Sequence, residues 1–393
     1  MLGGMVPRVP FVPSEVLLLG PGPSPSSHRV LAAQSAPVLG HLDPEFVQLM
    51  DRVQQDLRTL FGTRNRFTLP ISGTGSAGME CCFVNLVEPG DRVVVGIHGV
   101  FGERMHELAL RQGAEVVAVR AEYGKALDEA AMLQAIRGGP TRLVAFVHAE
   151  TSTGVLQPPQ AILQAAKAQG ALSVLDCVTS LGGLEVALDA WGVDAAYSGT
   201  QKCLSVPPGL APVSFSDAAM AKAKARARKA PSWYLDVNLL GAYWGGERVY
   251  HHTAPISSIY GLAAGLDEVF EEGLPARFAR HVAAAKALVQ GLEPLGLTPL
   301  VQAPIRLPGI TSVCVPEGVD EAAVRKHLRQ QHRIEIGGGL GSLKGRIWRI
   351  GLLGHGARMT SVVRVLAALG DALSTQGRRP DVAAALRSAQ AGA

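Results

Sequence analysis

From residue 67 to residue 215 the chain returns repeatedly to one unit: a short apolar run, a turn of glycine, serine or threonine, then an amphipathic stretch. The runs are Phe67–Ile71, Asp91–Gly96, Ala114–Val119, Leu143–His148, Ala171–Asp176, Val193–Tyr197 and Leu210–Phe215. Strands read this way, apolar throughout rather than in alternation, when both faces of their sheet are covered. Parallel strands need crossovers, and helical stretches such as Leu127–Arg137 supply them. The pattern narrows the fold class to α/β and places any ligand site at the carboxyl ends of the strands.

At 393 residues the chain exceeds one small core, and domains of about 100 to 200 residues make two the expectation. The pattern changes near Gly273, where a long helix Arg277–Leu295, a strand Gly309–Val315 and a helix Glu321–Gln331 read as a smaller α+β domain. The expected divisions are an extended arm at 1–20, a large domain at 21–272, a small C-terminal domain at 273–376 and a frayed tail at 377–393. In Leu17-Leu18-Leu19-Gly20-Pro21-Gly22-Pro23-Ser24-Pro25 the alternating glycine and proline forbid a continuing helix or strand, so the arm is expected to cross a surface.

Tyr197-Ser198-Gly199-Thr200-Gln201-Lys202 presents a lysine just past a strand. An ammonium group is a poor nucleophile at its ordinary pKa of about 10.4, but beside cations or apolar groups it sheds its proton and can attack a carbonyl. Gly199 permits a tight turn, and Ser198 and Thr200 carry hydroxyls suited to phosphate oxygens. The run Ala171–Asp176 ends on a carboxylate at a strand's carboxyl end, so Asp176 and Lys202 are expected to face one pocket. Alone, such a lysine is often merely solvated and such an aspartate a turn former.

Ser72–Glu80 is a glycine-rich turn opening a helix, where backbone N–H groups and the Thr74 and Ser76 hydroxyls make an anion site. Gly73, Gly75 and Gly78 also spell the dinucleotide fingerprint, which makes an NAD-dependent oxidoreductase the competing enzyme class. That fingerprint needs an acidic residue ending the next strand, and Asp91–Gly96 instead runs into Ile97-His98-Gly99. A single phosphate fits better. Phe101, in the loop Gly99–Gly102, either caps a core or stacks on an aromatic cofactor. Leu143–His148 empties into Ala149-Glu150-Thr151-Ser152-Thr153-Gly154, a second cluster of hydroxyls. His251 and His252 are poor metal ligands, because neighbours on an extended chain point to opposite sides and no partner is suitably spaced. Arg349, mid-strand in Trp348–Gly351, needs an anion to justify burial, and a carboxylate is its natural bidentate partner.

With 37 Lys+Arg against 33 Asp+Glu, the net charge of +4 favours neither a nucleic-acid nor a membrane partner. The basic run Lys222–Lys229 reads as an exposed helix. Five cysteines without a C-x-x-C pair argue against a disulfide framework or a zinc site and for a reducing compartment. Met1–Pro13, with three prolines and no apolar core, does not read as a signal peptide, and no run of about 18 apolar residues offers a membrane span. Ala391-Gly392-Ala393 is no peroxisomal address, and the cytoplasm is the expected location.

Taken in order, Ser72–Glu80, Ser152–Val155, Asp176, Ser198–Lys202, Tyr250–Thr253 and Arg349–Gly354 resemble the class V aminotransferases, in particular the alanine–glyoxylate and serine–pyruvate branch. The likeness runs from about Leu17 to about Leu373. It implies a fold-type I enzyme with a mixed seven-stranded sheet in the large domain, pyridoxal phosphate as cofactor, and a homodimer with shared active sites. By resemblance, Lys202 would hold the cofactor and shuttle the substrate proton, and Asp176 would pair with the pyridine N–H. Thr74, Gly75, Ser76 and Gln201 would cradle the phosphate, with Tyr250 and Thr253 reaching in from the other subunit. Phe101 would stack on the ring, Thr151 and Val178 would border it, and Arg349 would clamp the substrate carboxylate. Relatives often carry tryptophan where Phe101 stands and histidine where Ser76 stands. Cys314 in a strand and phenylalanine at 101 set aside the cysteine desulfurase branch, and the intact Lys202, Asp176 and Arg349 argue against a non-catalytic binding subunit. The implied reaction carries an amino group from alanine or serine to glyoxylate or pyruvate. 2-Aminoethylphosphonate and ureidoglycine remain as other donors, and no metal is implied.

Overall fold

The computed structural model describes residues 11–392. Residues 1–10, which hold the first half of the expected arm and most of the stretch read for a signal peptide, lie outside the described residues, as does Ala393.

The apolar runs assemble into a seven-stranded sheet in the order Phe67–Ser72, Leu210–Phe215, Ala195–Tyr197, Leu172–Asp176, Thr141–Val147, Arg92–Ile97, Glu115–Arg120. Leu210–Phe215 runs antiparallel to both neighbours and the other strands share one direction, so the sheet is mixed, as expected. Past its first residue Arg92–Ile97 is buried throughout, which is why it shows no alternation. Local chemistry bounds the helices. For Pro44–Phe61, the Asp43 side chain accepts from Glu45 N, Pro44 occupies the first turn where no N–H is needed, and Gly62 closes the helix at φ 58°.

Among the described residues two large buried clusters form, with a small third one of Ala149, Cys203, Leu307, Ile310 and Leu353. One surrounds the sheet, with Met50, Phe61, Phe83 and Phe146. The other joins Leu288, Trp348, Ile350 and Leu369 around a three-stranded antiparallel sheet of Ile310–Cys314, Ile347–Gly351 and Gly337–Gly338. The arm departs from expectation. Leu17 and Leu18 pair in parallel with Ile334 and Glu335, and Leu19 is wholly buried in the second cluster. Burying such a side chain is worth about 2 kcal/mol, enough to seat a segment that its own backbone chemistry leaves unstructured.

The tail is also a correction. Val382–Ala391 is a helix capped by Asp381, and its Ala385 and Ala389 are wholly buried among the helices Leu274–Leu292 and Met359–Thr375. An alanine stripe carries too little hydrophobicity to read as a core face. The basic run is not one exposed helix: the helix ends at Lys224, Lys222 pairs with Glu88 at 2.6 Å, and Arg226 donates to the Asn85 and Val87 carbonyls. Those carbonyls close the helix Gly75–Leu86, where main-chain acceptors lack partners. Among the described residues no helix is long and apolar enough to cross a membrane.

Candidate active site

Because six strands share one direction, Ser72, Ile97, Val147, Asp176 and Tyr197 all end on one side of the sheet. The register sets Asp176 beside Tyr197, whose hydroxyl donates to Asp176 Oδ2 at 2.6 Å while Val178 N–H donates to Oδ1 at 2.8 Å. Burial pushes the Asp176 carboxyl up to about 7 against those two hydrogen bonds. A carboxylate placed there favours a partner that brings a positive N–H.

Lys202 is 7% exposed and its ammonium donates to the Pro21 carbonyl, so the arm lies directly over it. Burial first, and Arg349 second, lower its pKa to about 8, which makes the neutral amine accessible near physiological pH. Arg349 is 6% exposed; its Nε donates to Gly338 O at 2.8 Å and its Nη1 to Thr151 O at 3.1 Å. No described residue accepts from Nη2, so one side of the guanidinium remains free for an anion. A Cβ on Gly337 would lie 2.5 Å from Pro21 Cδ and 3.7 Å from that Nη2, so the arm lies near Arg349 as well as against Lys202.

The glycine turn and the lysine turn form one wall. A Cβ on Gly75 would come within 3.3 Å of Val178 Cγ2 and 3.5 Å of Ser198 O, so glycine there permits the close approach. Thr74 and Ser76 are exposed at the start of the helix Gly75–Leu86, and the Thr74 hydroxyl makes no capping bond to it. The first N–H groups of that helix keep their capacity for an anion. Gln201 Oε1 is buried without a partner.

Phe101 sits not in a loop but in the first turn of the helix Val100–Arg111. Glu150, wholly buried, explains the placement: Oε2 accepts from Phe101 N at 3.2 Å, Oε1 from Ser152 N at 2.9 Å and from Ser152 Oγ at 2.6 Å. Helix N–H groups complement a carboxylate electrostatically, yet burial still raises the Glu150 pKa. The Arg104 guanidinium lies 4.9 Å from the Phe101 ring centroid, and the partly buried ring also packs against the core around the sheet. Thr151 is buried with its hydroxyl bonded to that of Thr179.

Tyr250 and Thr253 are not brought to this cluster. Both are exposed, with their hydroxyls 3.5 Å apart and the Tyr250 ring 5.1 Å from that of His41. The adjacent histidines do not point apart either: a bend turns His251 Nδ1 to within 2.8 Å of His252 Nδ1, and His252 Nε2 reaches Ser72 Oγ at 2.7 Å. Glu150, Tyr197 and Pro21 carry no site role in the sequence reading. Only Glu150 had a usable signal, a carboxylate closing an apolar strand.

The aminotransferase class-V family description matches residues 26–364. The chain belongs to the class V aminotransferases. It is 40% identical over 370 residues to alanine–glyoxylate aminotransferase of Drosophila melanogaster, covering 93% of this chain and 94% of that one. It is 38% identical over 390 residues to the (S)-ureidoglycine–glyoxylate transaminase of Bacillus subtilis, covering 95% and 94%. The crystal structure of alanine–glyoxylate aminotransferase from Nostoc sp. superimposes with a TM-score of 0.92 at 44% identity, covering 94% of this chain and 98% of that one. Class V aminotransferases are pyridoxal-phosphate-dependent transaminases of fold-type I, and this is one. The dinucleotide reading of the glycine turn falls with that assignment.

The residues present fit the cofactor. A lysine with a lowered pKa, a buried carboxyl raised towards neutrality and a helix start pressed against the lysine turn each lack what pyridoxal phosphate would supply.

Proposed function

We propose that this class V aminotransferase carries the amino group of alanine or serine to glyoxylate or pyruvate. The observation that carries the reading is one buried arginine, Arg349, with a free guanidinium side close enough to Lys202 to lower its pKa. Such a fork holds one carboxylate, and the arm over Lys202 leaves little room for a long side chain. The alanine–glyoxylate aminotransferases among its relatives support the same substrates.

Bound there, pyridoxal phosphate supplies an aldehyde carbon that takes the amino group and a protonated pyridine that accepts the electron pair left by the Cα–H bond. Lys202 would hold the cofactor through Nζ, and its free amine would be the group that moves the proton at the substrate Cα. Its low pKa suits that work, since a proton acceptor serves best near the working pH. Asp176, oriented by Tyr197 and Val178, keeps the pyridine nitrogen protonated. Thr74, Gly75, Ser76 and Gln201 hold the phosphate. Phe101 would stack on the cofactor ring, while Thr151 and Val178 would border it. Arg349 orients the substrate carboxylate so that Cα–H faces Lys202.

A homodimer completes the site, with Tyr250 and Thr253 of the partner subunit on the phosphate. Support comes from exposed apolar side chains near one another in sequence: Leu31, Val38 and Leu42, then Val249 and Tyr250, which is 57% exposed. The five cysteines are all free, which supports a reducing compartment, the cytoplasm. A second reading, ureidoglycine as donor, is favoured by the Bacillus subtilis relative. Purified enzyme assayed on a grid of donors and acceptors separates these. Alanine or serine with glyoxylate should turn over fastest; aspartate or glutamate as the best donor sinks the proposal, and ureidoglycine as the best donor replaces it with the second reading.

A further inference from the structure

On the surface of the second cluster, two histidines and an aspartate converge. His327 belongs to the helix Glu321–Gln331 and His332 is the residue that ends it; Asp371 lies on the helix Met359–Thr375. Five residues apart on an unbroken helix, the two rings would diverge by about 140°. The helix stops at Gln331, and His332 turns its ring back to the same side. His327 Nε2 and His332 Nε2 are each 2.7 Å from the same oxygen, Asp371 Oδ2, with ring centroids 5.6 Å apart. The three atoms lie within 4.8 Å of one another.

An ion pair alone needs one imidazole per carboxylate. Here two rings aim Nε2 at a single carboxylate oxygen. With each ring's proton carried on Nδ1, both Nε2 lone pairs are free, and one divalent cation would meet an N, N, O donor set. Imidazole and carboxylate together select first-row transition metals over magnesium or calcium. Ligand atoms about 2.0–2.2 Å from an ion stand about 3 Å or more from one another, so the 2.7 Å spacings must open by only a few tenths of an ångström. The side chains, 21%, 31% and 52% exposed for His327, His332 and Asp371, have room for that and leave the other coordination positions to water.

We propose that His327, His332 and Asp371 form a binding site for a divalent transition-metal ion of the zinc type, separate from the lysine cluster. The ion joins the end of one helix to another. Arg333 alone separates His332 from the strand Ile334–Glu335, on which the arm residues Leu17 and Leu18 are paired. Bound metal therefore stiffens the support of the arm.

The test uses cofactor-loaded, chelator-treated enzyme titrated with zinc chloride alone in a non-coordinating buffer, followed by calorimetry and by the melting temperature. The parent protein should bind zinc and melt higher with it. His327→Gln and Asp371→Asn, both surface changes outside the catalytic cluster, should keep normal transamination while weakening that binding at least about tenfold and abolishing the melting shift. Equal zinc affinity and equal melting shifts in parent and variants overturn the proposal by placing the ion elsewhere. Absence of binding to the parent overturns it by leaving a proton-linked ion pair only.

Discussion

Replacing Arg349 with lysine keeps a positive charge and removes the fork. In the folded chain Nε and one Nη1 hydrogen are committed to the Gly338 and Thr151 carbonyls, which leaves the second Nη1 hydrogen and Nη2 for substrate. The guanidinium stays charged near neutrality, because burial lowers its pKa only to about 10. A hydrogen bond to a charged group is worth about 1.5–3 kcal/mol, and at 6% exposure solvent screens it little. An ammonium can keep one of the two substrate bonds, so Arg349→Lys should lower kcat/KM by about 10- to 150-fold, at about 1.4 kcal/mol per factor of ten. Arg349→Gln loses both and should cost about 10² to 10⁴. The assay is steady-state transamination with alanine and glyoxylate varied independently. Since one fork serves both carboxylates in turn, the loss should appear mainly in KM and to a similar extent for each. Freed Gly338 and Thr151 carbonyls affect stability instead, which the melting temperature reads separately. Arg349→Lys within about threefold of the parent, or a loss confined to one of the two substrates, would refute the role.

Lys202→Met should abolish turnover and the absorbance of lysine-bound cofactor. In cofactor-free protein Lys202 titrates near 8 instead of 10.5, so across that window the unfolded chain holds a proton the folded chain has released. Stability should therefore rise with pH there, and the variant should lack that rise in urea titrations. Asp176→Asn should fold, since its Tyr197 and Val178 partners remain, and lose turnover by orders of magnitude; parent-like kcat would assign the pyridine contact elsewhere. Glu150→Gln sets an amide among N–H donors and should lower kcat and weaken ring stacking at Phe101, read by the cofactor's circular dichroism. Mixed dimers of Lys202→Ala with a Tyr250→Phe/Thr253→Ala chain should regain activity that neither variant has alone; mixed dimers without recovery would show that the sites are not shared.

The sheet was legible because seven apolar runs without alternation leave few alternatives, and the parallel direction carried Asp176 and Lys202 to one side whatever the details of packing. Thr74–Ser76, Gln201 and Arg349 drew notice in the sequence because each stands in a short motif, the first two at turns and Arg349 in mid-strand. Glu150 shows where that reading stops. Its carboxylate matters through the N–H groups of Phe101 and Ser152, and the first of these partners lies 49 residues away in sequence. The alanine stripe of Val382–Ala391 has the same difficulty, since Ala385 and Ala389 become core only when two other helices cover them.

What the sequence determined by itself is the α/β class, through the unbroken apolar runs, and the family, through the resemblance of its ordered motifs, because both are properties read along the chain. What only the tertiary structure decided is the environment of those groups. The Gly–Pro arm has no preference of its own for a place, yet Leu19 sinks into the second cluster and carries the Pro21 carbonyl onto Lys202. The shifted pKa values of Lys202 and Asp176 come first from burial, and for Lys202 next from Arg349 on the three-stranded sheet, quantities that exist only once the chain has closed around them.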